Sequence, residues 1–106
     1  MHNTNTQAWT IEVLTEDTKE NPHIAVGYLA NVAGGATVLR GTGHWDGPDG
    51  FIQEDSAVIQ ATVGPSDLDR GETPRDVAKG AAKAVKDNTN QDAVMWRVTP
   101  CQTGMV

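Results

Sequence analysis

The residues of this chain that could do chemistry crowd into one stretch. Arg40-Gly41-Thr42-Gly43-His44-Trp45-Asp46-Gly47 is followed at once by Gly50-Phe51-Ile52-Gln53-Glu54-Asp55-Ser56 and the apolar run Ala57 to Val63. An Arg, a His, a Trp, two adjacent carboxylates and a Ser thus fall in the connection between two expected strands, and connections carry function more often than the elements they join. Three chemistries fit these residue types. Arg and Trp could bind, by charge-assisted hydrogen bonds and stacking. His44, Glu54 or Asp55 could transfer protons. Ser56, His44 and Asp46 could form an acyl-transfer set, but no nucleophile elbow surrounds Ser56.

Spacing narrows these options. Glu54 and Asp55 are neighbours, so on an extended chain they point to opposite faces and cannot act as a paired acid and base; they read as solvated charges. His2, His23 and His44 share no short spacing, and Cys101 is the single cysteine. No metal-ligand signature results, and neither a metal nor a cofactor is expected. Gly34-Gly35 and Gly41-Thr42-Gly43 lie before or inside a strand, whereas a dinucleotide fingerprint needs them between strand and helix. No residue is assigned a catalytic role.

The elements that must position these residues follow from periodicity. Ala8 to Leu14 alternates, with Trp9, Ile11 and Val13 on one side. Asn21 as cap and Pro22 at the first position predict a helix carrying Ile24, Tyr28, Leu29 and Val32, closed by Gly34-Gly35; Gly27 weakens it and leaves a strand over Ile24 to Leu29 as the alternative. Thr37 to Trp45 predicts the second strand, Asp46 to Gly50 a turn, and Ala57 to Val63 the third strand. Thr73-Pro74-Arg75-Asp76 starts a second helix, with Val77, Ala78, Ala81, Ala82 and Val85 inward and Lys79, Lys83 and Lys86 in water. Ala93 to Val98 closes the set.

The order strand, helix, strand, strand, helix, strand predicts an α+β, ferredoxin-like βαββαβ fold: a four-stranded antiparallel sheet with two helices on one face. One domain is expected over residues 8–100, with tails at 1–7 and 101–106. The other face of the sheet is then open. Period-two counting places Val38, Arg40, Thr42 and His44 on that open face with Val58, Gln60 and Thr62, and turns Gly41, Gly43 and Trp45 toward the helices.

Composition limits the partners. A chain of 106 residues with five large aromatics makes one thin core, so burial against a second copy, as a homodimer or larger homo-oligomer, is a reasonable expectation. A formal net charge of −6 argues against double-stranded nucleic acid, which needs a basic face. A compact anionic ligand could still be held by a few Arg. No apolar run reaches the ~20 residues of a membrane span, the polar start lacks the regions of a signal peptide, and a single cysteine forms no internal disulfide; a cytoplasmic location is expected.

Thr37-Val38-Leu39 to Gly43-His44-Trp45-x-Gly, then Glu54-Asp55-Ser56-Ala57-Val58-Ile59, then a helix ending in Asn90-Gln91-Asp92-Ala93-Val94 before a closing strand, resembles small phage-borne α+β proteins. Among these are the anti-Thoeris proteins that sequester cyclic ADP-ribose-type signals. The resemblance covers about two-thirds of the chain. It implies an oligomeric, non-enzymatic anti-defence protein that binds a nucleotide signal at a subunit boundary, in the cytoplasm of the host. Arg40, His44, Trp45, Gln60 and Arg97 are the candidate ligand contacts on this reading. Two others stay open: an acidic inhibitor or DNA mimic that binds a host protein, and a small enzyme using His44, Glu54 or Asp55.

Overall fold

A computed structural model of the chain describes residues 6–106. Its elements are β1 (Thr6–Glu16), α1 (Asn21–Ala33), β2 (Thr37–Gly47), β3 (Gly50–Val63), α2 (Pro74–Asn88) and β4 (Met95–Thr103), with a short 3-10 turn at Pro65–Asp67. The strands form one antiparallel sheet in the order β2-β3-β1-β4, and both helices cover one face. This is the ferredoxin-like βαββαβ arrangement that the element order predicts.

The core lies between that face and the helices. Ile11 and Val13 of β1, Ala57, Ile59, Ala61 and Val63 of β3, Ala25 and Leu29 of α1, and Val77, Ala78, Ala81 and Val85 of α2 are buried together. Small side chains on α2 let the two helices approach closely. Gly80 sits against the phenol of Tyr28, whose Cζ would lie 2.7 Å from a Cβ at that position. The start of α2 is as expected: Thr73 Oγ1 accepts from Asp76 N–H at 3.2 Å and Asp76 Oδ2 accepts from Thr73 N–H at 2.9 Å. Gly34, at φ 83°, ends α1 and returns its N–H to the Ala30 carbonyl.

Four expectations are corrected. Asn21 is not the cap of α1: it is buried inside the first turn and donates from Nδ2 to Thr15 Oγ1 at 3.1 Å, while Thr18 Oγ1 accepts the N–H of Asn21. The expected tail 101–106 begins too early, because Cys101 to Thr103 continue β4; Gln7 likewise belongs to β1, and residues 1–5 of the expected N-terminal tail lie outside the described residues. The connection between β2 and β3 is not a five-residue turn followed by a loop. Pairing runs out to Gly47 opposite Gly50, leaving Pro48-Asp49 as a two-residue turn.

The fourth correction concerns faces. Residues opposite one another in an antiparallel ladder share a face. Val38 pairs with Ile59 and Arg40 with Ala57, so Arg40, Thr42 and His44 share the side of the core. Leu39, Gly41, Gly43 and Trp45 share the open side with Val58, Ser56, Glu54 and Ile52. Gln60 and Thr62 lie on the open side, as expected.

Candidate functional site

The open face carries ordered rows that cross the strands. Thr37, Gln60, Glu12 and Arg97 form a polar row. Glu12 is its centre, accepting from Arg97 Nε at 2.8 Å and from Gln60 Nε2 at 3.3 Å. Leu39, Val58, Leu14 and Met95 form the next row, apolar across all four strands. Beyond it come Gly41, Ser56 and Glu16, then Gly43 and Glu54, then Trp45 and Ile52. Past the pairing of Glu16 with Ser56, β1 stops, and β2 and β3 continue alone as a two-stranded arm.

A cleft of about 400 Å³ opens where β1 ends, walled by Leu14, Val58 and Met95 on its apolar side and by Glu16, Glu54, Ser56 and Gln91 on its polar side. Trp45 forms its rim. The indole folds back on Gly43, where a Cβ would meet Trp45 Nε1 at 3.0 Å and would also collide with Ser56 Oγ. A side chain at position 43 would therefore displace the Ser56 hydroxyl or the indole. Ser56 Oγ is buried beneath this cover and has no hydrogen-bond partner. The opposite wall is better tied. Gln91 donates from Nε2 to Glu16 Oε2 at 3.1 Å, and Thr15 Oγ1 lies 3.5 Å from Gln91 Oε1 while accepting from Asn21. This chain of amides and hydroxyls fixes the loop after α2 against the end of β1.

The five predicted contacts do not converge. Trp45 lies at the cleft. Gln60 and Arg97 share the open face but sit on the Glu12 row; at about 3.4 Å per residue the eight positions from Gln60 opposite Thr37 to Trp45 span about 27 Å. Arg40 is on the other side, its Nε 3.1 Å from Asp17 Oδ2. His44 is exposed on the arm with its ring edge-to-face to Phe51, 6.5 Å between centroids. Glu54 and Asp55 point to opposite sides, as adjacency demands, and Glu54 alone faces the cleft. Glu16, Gln91 and Met95, which also line the cleft, are not among the contacts expected from the sequence. Counting back by twos from Gln60 would have found Ser56 and Glu54, but only pairing with β1 brings Glu16 and Met95 beside them.

Among the described residues no group of His, Cys, Asp and Glu is placed to hold a metal ion, and no helix is long and apolar enough to cross a membrane. A larger groove of about 790 Å³ runs between the start of α1 and the end of α2, but its walls, Glu16, Thr18 to Asn21 and Asp87 to Gln91, carry polar and charged side chains throughout.

No protein-family model matches this chain, and no curated protein matches it in sequence. Solved structures do match in fold. A phage SAM lyase in complex with S-methyl-5'-thioadenosine superposes with a TM-score of 0.64 at 11% identity, over 99% of this chain and 95% of that one. A nitrogen regulatory PII-like protein from Thiomonas intermedia, bound to ADP, AMP and bicarbonate, gives a TM-score of 0.59 at 17% identity, over 94% of this chain and 98% of that one. A Bacillus cereus protein related to NIF3 gives 0.64 at 12% identity; 94% of this chain covers 27% of that longer one. At such identities the likeness establishes the ferredoxin-like fold, which a phage protein and a PII-like protein share with this chain.

Proposed function

We propose that this chain is a small-molecule binding protein that takes a nucleoside-sized ligand, neutral or positively charged, into the cleft beneath Trp45. One observation carries the reading: Ser56 Oγ is a buried hydroxyl without a partner, at the wall of a cleft with an indole on its rim. Leaving such a group unpaired costs about 1–3 kcal/mol, and a polar atom of a ligand would recover it. Leu14, Val58 and Met95 offer a flat planar ring an apolar bed, and Trp45 offers it a stacking partner. Glu16 and Glu54 accept hydrogen bonds from ribose-like hydroxyls or meet a positive charge.

No Lys or Arg lines the cleft, so a phosphate would enter it unpaired beside two carboxylates. This narrows the cyclic-nucleotide signal implied by the resemblance to its nucleoside portion. The S-methyl-5'-thioadenosine held by the phage SAM lyase supports a ligand of that size and charge, and the ADP and AMP held by the PII-like protein support only its nucleoside portion. Binding without turnover, as sequestration requires, is supported by Ser56: with no His or carboxylate at hydrogen-bond distance, its hydroxyl is not an activated nucleophile.

The test is a thermal-shift and tryptophan-fluorescence panel of adenosine, S-methyl-5'-thioadenosine, S-adenosylmethionine, cyclic ADP-ribose and a cyclic dinucleotide. A ligand at about 100 times its Kd stabilises by about 2.7 kcal/mol. The uncharged or cationic members should raise the Tm and perturb Trp45 emission, and Ser56→Ala should abolish both responses. Silence across the panel, or a response to the phosphate-bearing members alone, refutes the proposal. Recovery of the ligand intact by chromatography separates binding from catalysis.

A further inference from the structure

We propose that the arm formed by β2 and β3 is an interaction element whose Phe51 face docks into the basic groove between α2 and β4 of a second copy of this chain. The arm continues past the last residue of β1 by about six residues on each strand, or about 20 Å. A lone two-stranded ribbon of this kind is marginal in water. Its core-side face presents Phe51, 78% exposed, between the carboxylates of Asp46, Asp49 and Asp55, and residues 46–55 contain no Lys or Arg. An aromatic ring at the end of an arm, with His44 as its ring neighbour, is poorly explained by the fold of one chain.

The complementary surface is on the far side of the molecule. Arg75, Lys79, Lys83 and Lys86 rise along one stripe of α2 and supply half of the eight Lys and Arg of an acidic chain; Lys83 is paired with Asp87 one turn on, which leaves Arg75, Lys79 and Lys86 as the stripe's unneutralised charge. Three of them border a groove of about 300 Å³ floored by Val94 and Trp96, and the Arg75 guanidinium lies 5.6 Å from the centre of the Trp96 ring. Trp96 gives Phe51 an aromatic floor, and the cations meet the flanking carboxylates. The arm cannot reach its own groove, because β2 and β4 are opposite edges of the sheet and the arm projects away from it. The contact therefore runs head to tail between copies, and such a contact closes into a ring or propagates as a filament. It uses the face of the arm opposite the one that borders the proposed ligand cleft.

Light scattering after size exclusion tests it on the full chain. In about 50 mM salt the wild type should run at a multiple of 11.3 kDa, and in about 500 mM salt it should approach the single chain, since the carboxylates and cations are exposed and screened. D46K/D49K and K79E/K83E should each be monomeric at low salt, and the chain carrying all four changes should reassociate. Phe51→Ala should weaken association at least tenfold. Far-ultraviolet circular dichroism checks that every variant is folded. A wild type that stays at one chain mass at about 100 μM and low salt overturns the proposal. So does an assembly that survives either charge reversal, or a folded four-fold variant that stays monomeric.

Discussion

Replacing Ser56 with Ala separates what stabilises this fold from what the cleft is for. The hydroxyl oxygen is buried between Trp45 and Gly43 with no hydrogen-bond partner, so the native state carries its desolvation cost of about 1–3 kcal/mol. Deleting one oxygen leaves a void on the order of 10–15 Å³, worth about 0.3 kcal/mol at 24 cal/mol per Å³. Ser and Ala have similarly modest strand preferences, so the backbone term is small. The balance favours Ser56→Ala by about 1 kcal/mol, which for a domain of this size raises the Tm by about 4–8 °C. Calorimetry measures this directly, and urea unfolding should show a higher midpoint at an unchanged m-value. Ser66→Ala, at an exposed position, is the control and should stay within about 0.5 kcal/mol of wild type. A Ser56→Ala protein less stable than wild type would refute the reasoning, because the hydroxyl would then be satisfied in the folded state. A more stable variant that also loses ligand response is the signature of a polar group retained for binding.

Other substitutions test the parts that hold the cleft. Gly80→Ala gains about 1 kcal/mol in helix propensity, but its Cβ would meet Tyr28 with Cζ 2.7 Å away, and overpacking costs about 1–3 kcal/mol. Urea midpoints should show a net loss, and in a Tyr28→Leu background the same change should become neutral or stabilising. Asn21→Ala removes the donor to Thr15 Oγ1 from a buried site and should cost about 1–3 kcal/mol; thermal melts check it, and the loosened Gln91 wall should lower ligand affinity as well. The Asp76 carboxyl is held below the usual carboxylate range, first by the backbone N–H of Thr73 and then by its hydroxyl. A depressed folded-state pKa gives stability that is present above the unfolded value and lost as pH falls through the folded one. The stability difference between wild type and Asp76→Asn should therefore shrink below about pH 4, and a difference equal at pH 7 and pH 3 would contradict the capping role.

The fold was legible because burial writes its period into the sequence. Ile11 and Val13, Ile59 and Val63, and the stripe from Val77 to Val85 alternate or recur because one side of each element meets the core. The arm has no such period. Most residues from Gly41 to Gln53 are exposed whichever way they point, so alternation carries no signal there, and the first half of β3, before Ala57, reads as turn and loop. The face of β2 was lost for a related reason. Val38 and Leu39 are both apolar, and on this edge strand Val38 is half-buried while Leu39 is 52% exposed, so composition gives no preferred parity. Turn geometry would have decided it: with Pro48-Asp49 as the two-residue turn, Gly47 opposes Gly50, and every pair back to Thr37 and Gln60 follows. One residue of register exchanges Arg40 and His44 for Gly43 and Trp45 on the open face.

That exchange changes the chemistry available. With Arg40 and His44 on the open face, the sheet would have offered positive charge and suited a phosphate. With Trp45 over Gly43 and Ser56 beside Glu54 and Glu16, it offers an aromatic cover, one unpaired hydroxyl and two acceptors. Arg97 does not restore the balance, because Glu12 already holds it at 2.8 Å. Of the cations on α2, Lys83 is paired with Asp87, while Lys79 and Lys86 border the groove at Trp96 and Arg75 lies over that ring, across the sheet from the cleft. Charge is therefore divided by face. On the two proposals made above, an acidic cleft selects against phosphates on one side while a basic groove on the other matches the acidic arm. Because Trp45 and Phe51 stand on opposite faces of the same ribbon, anything that fixes the arm through Phe51 also fixes the indole over Ser56. A ligand that needs the indole displaced and one that needs it in place would respond to assembly with opposite signs. Measuring ligand affinity against protein concentration, in low and high salt, distinguishes them.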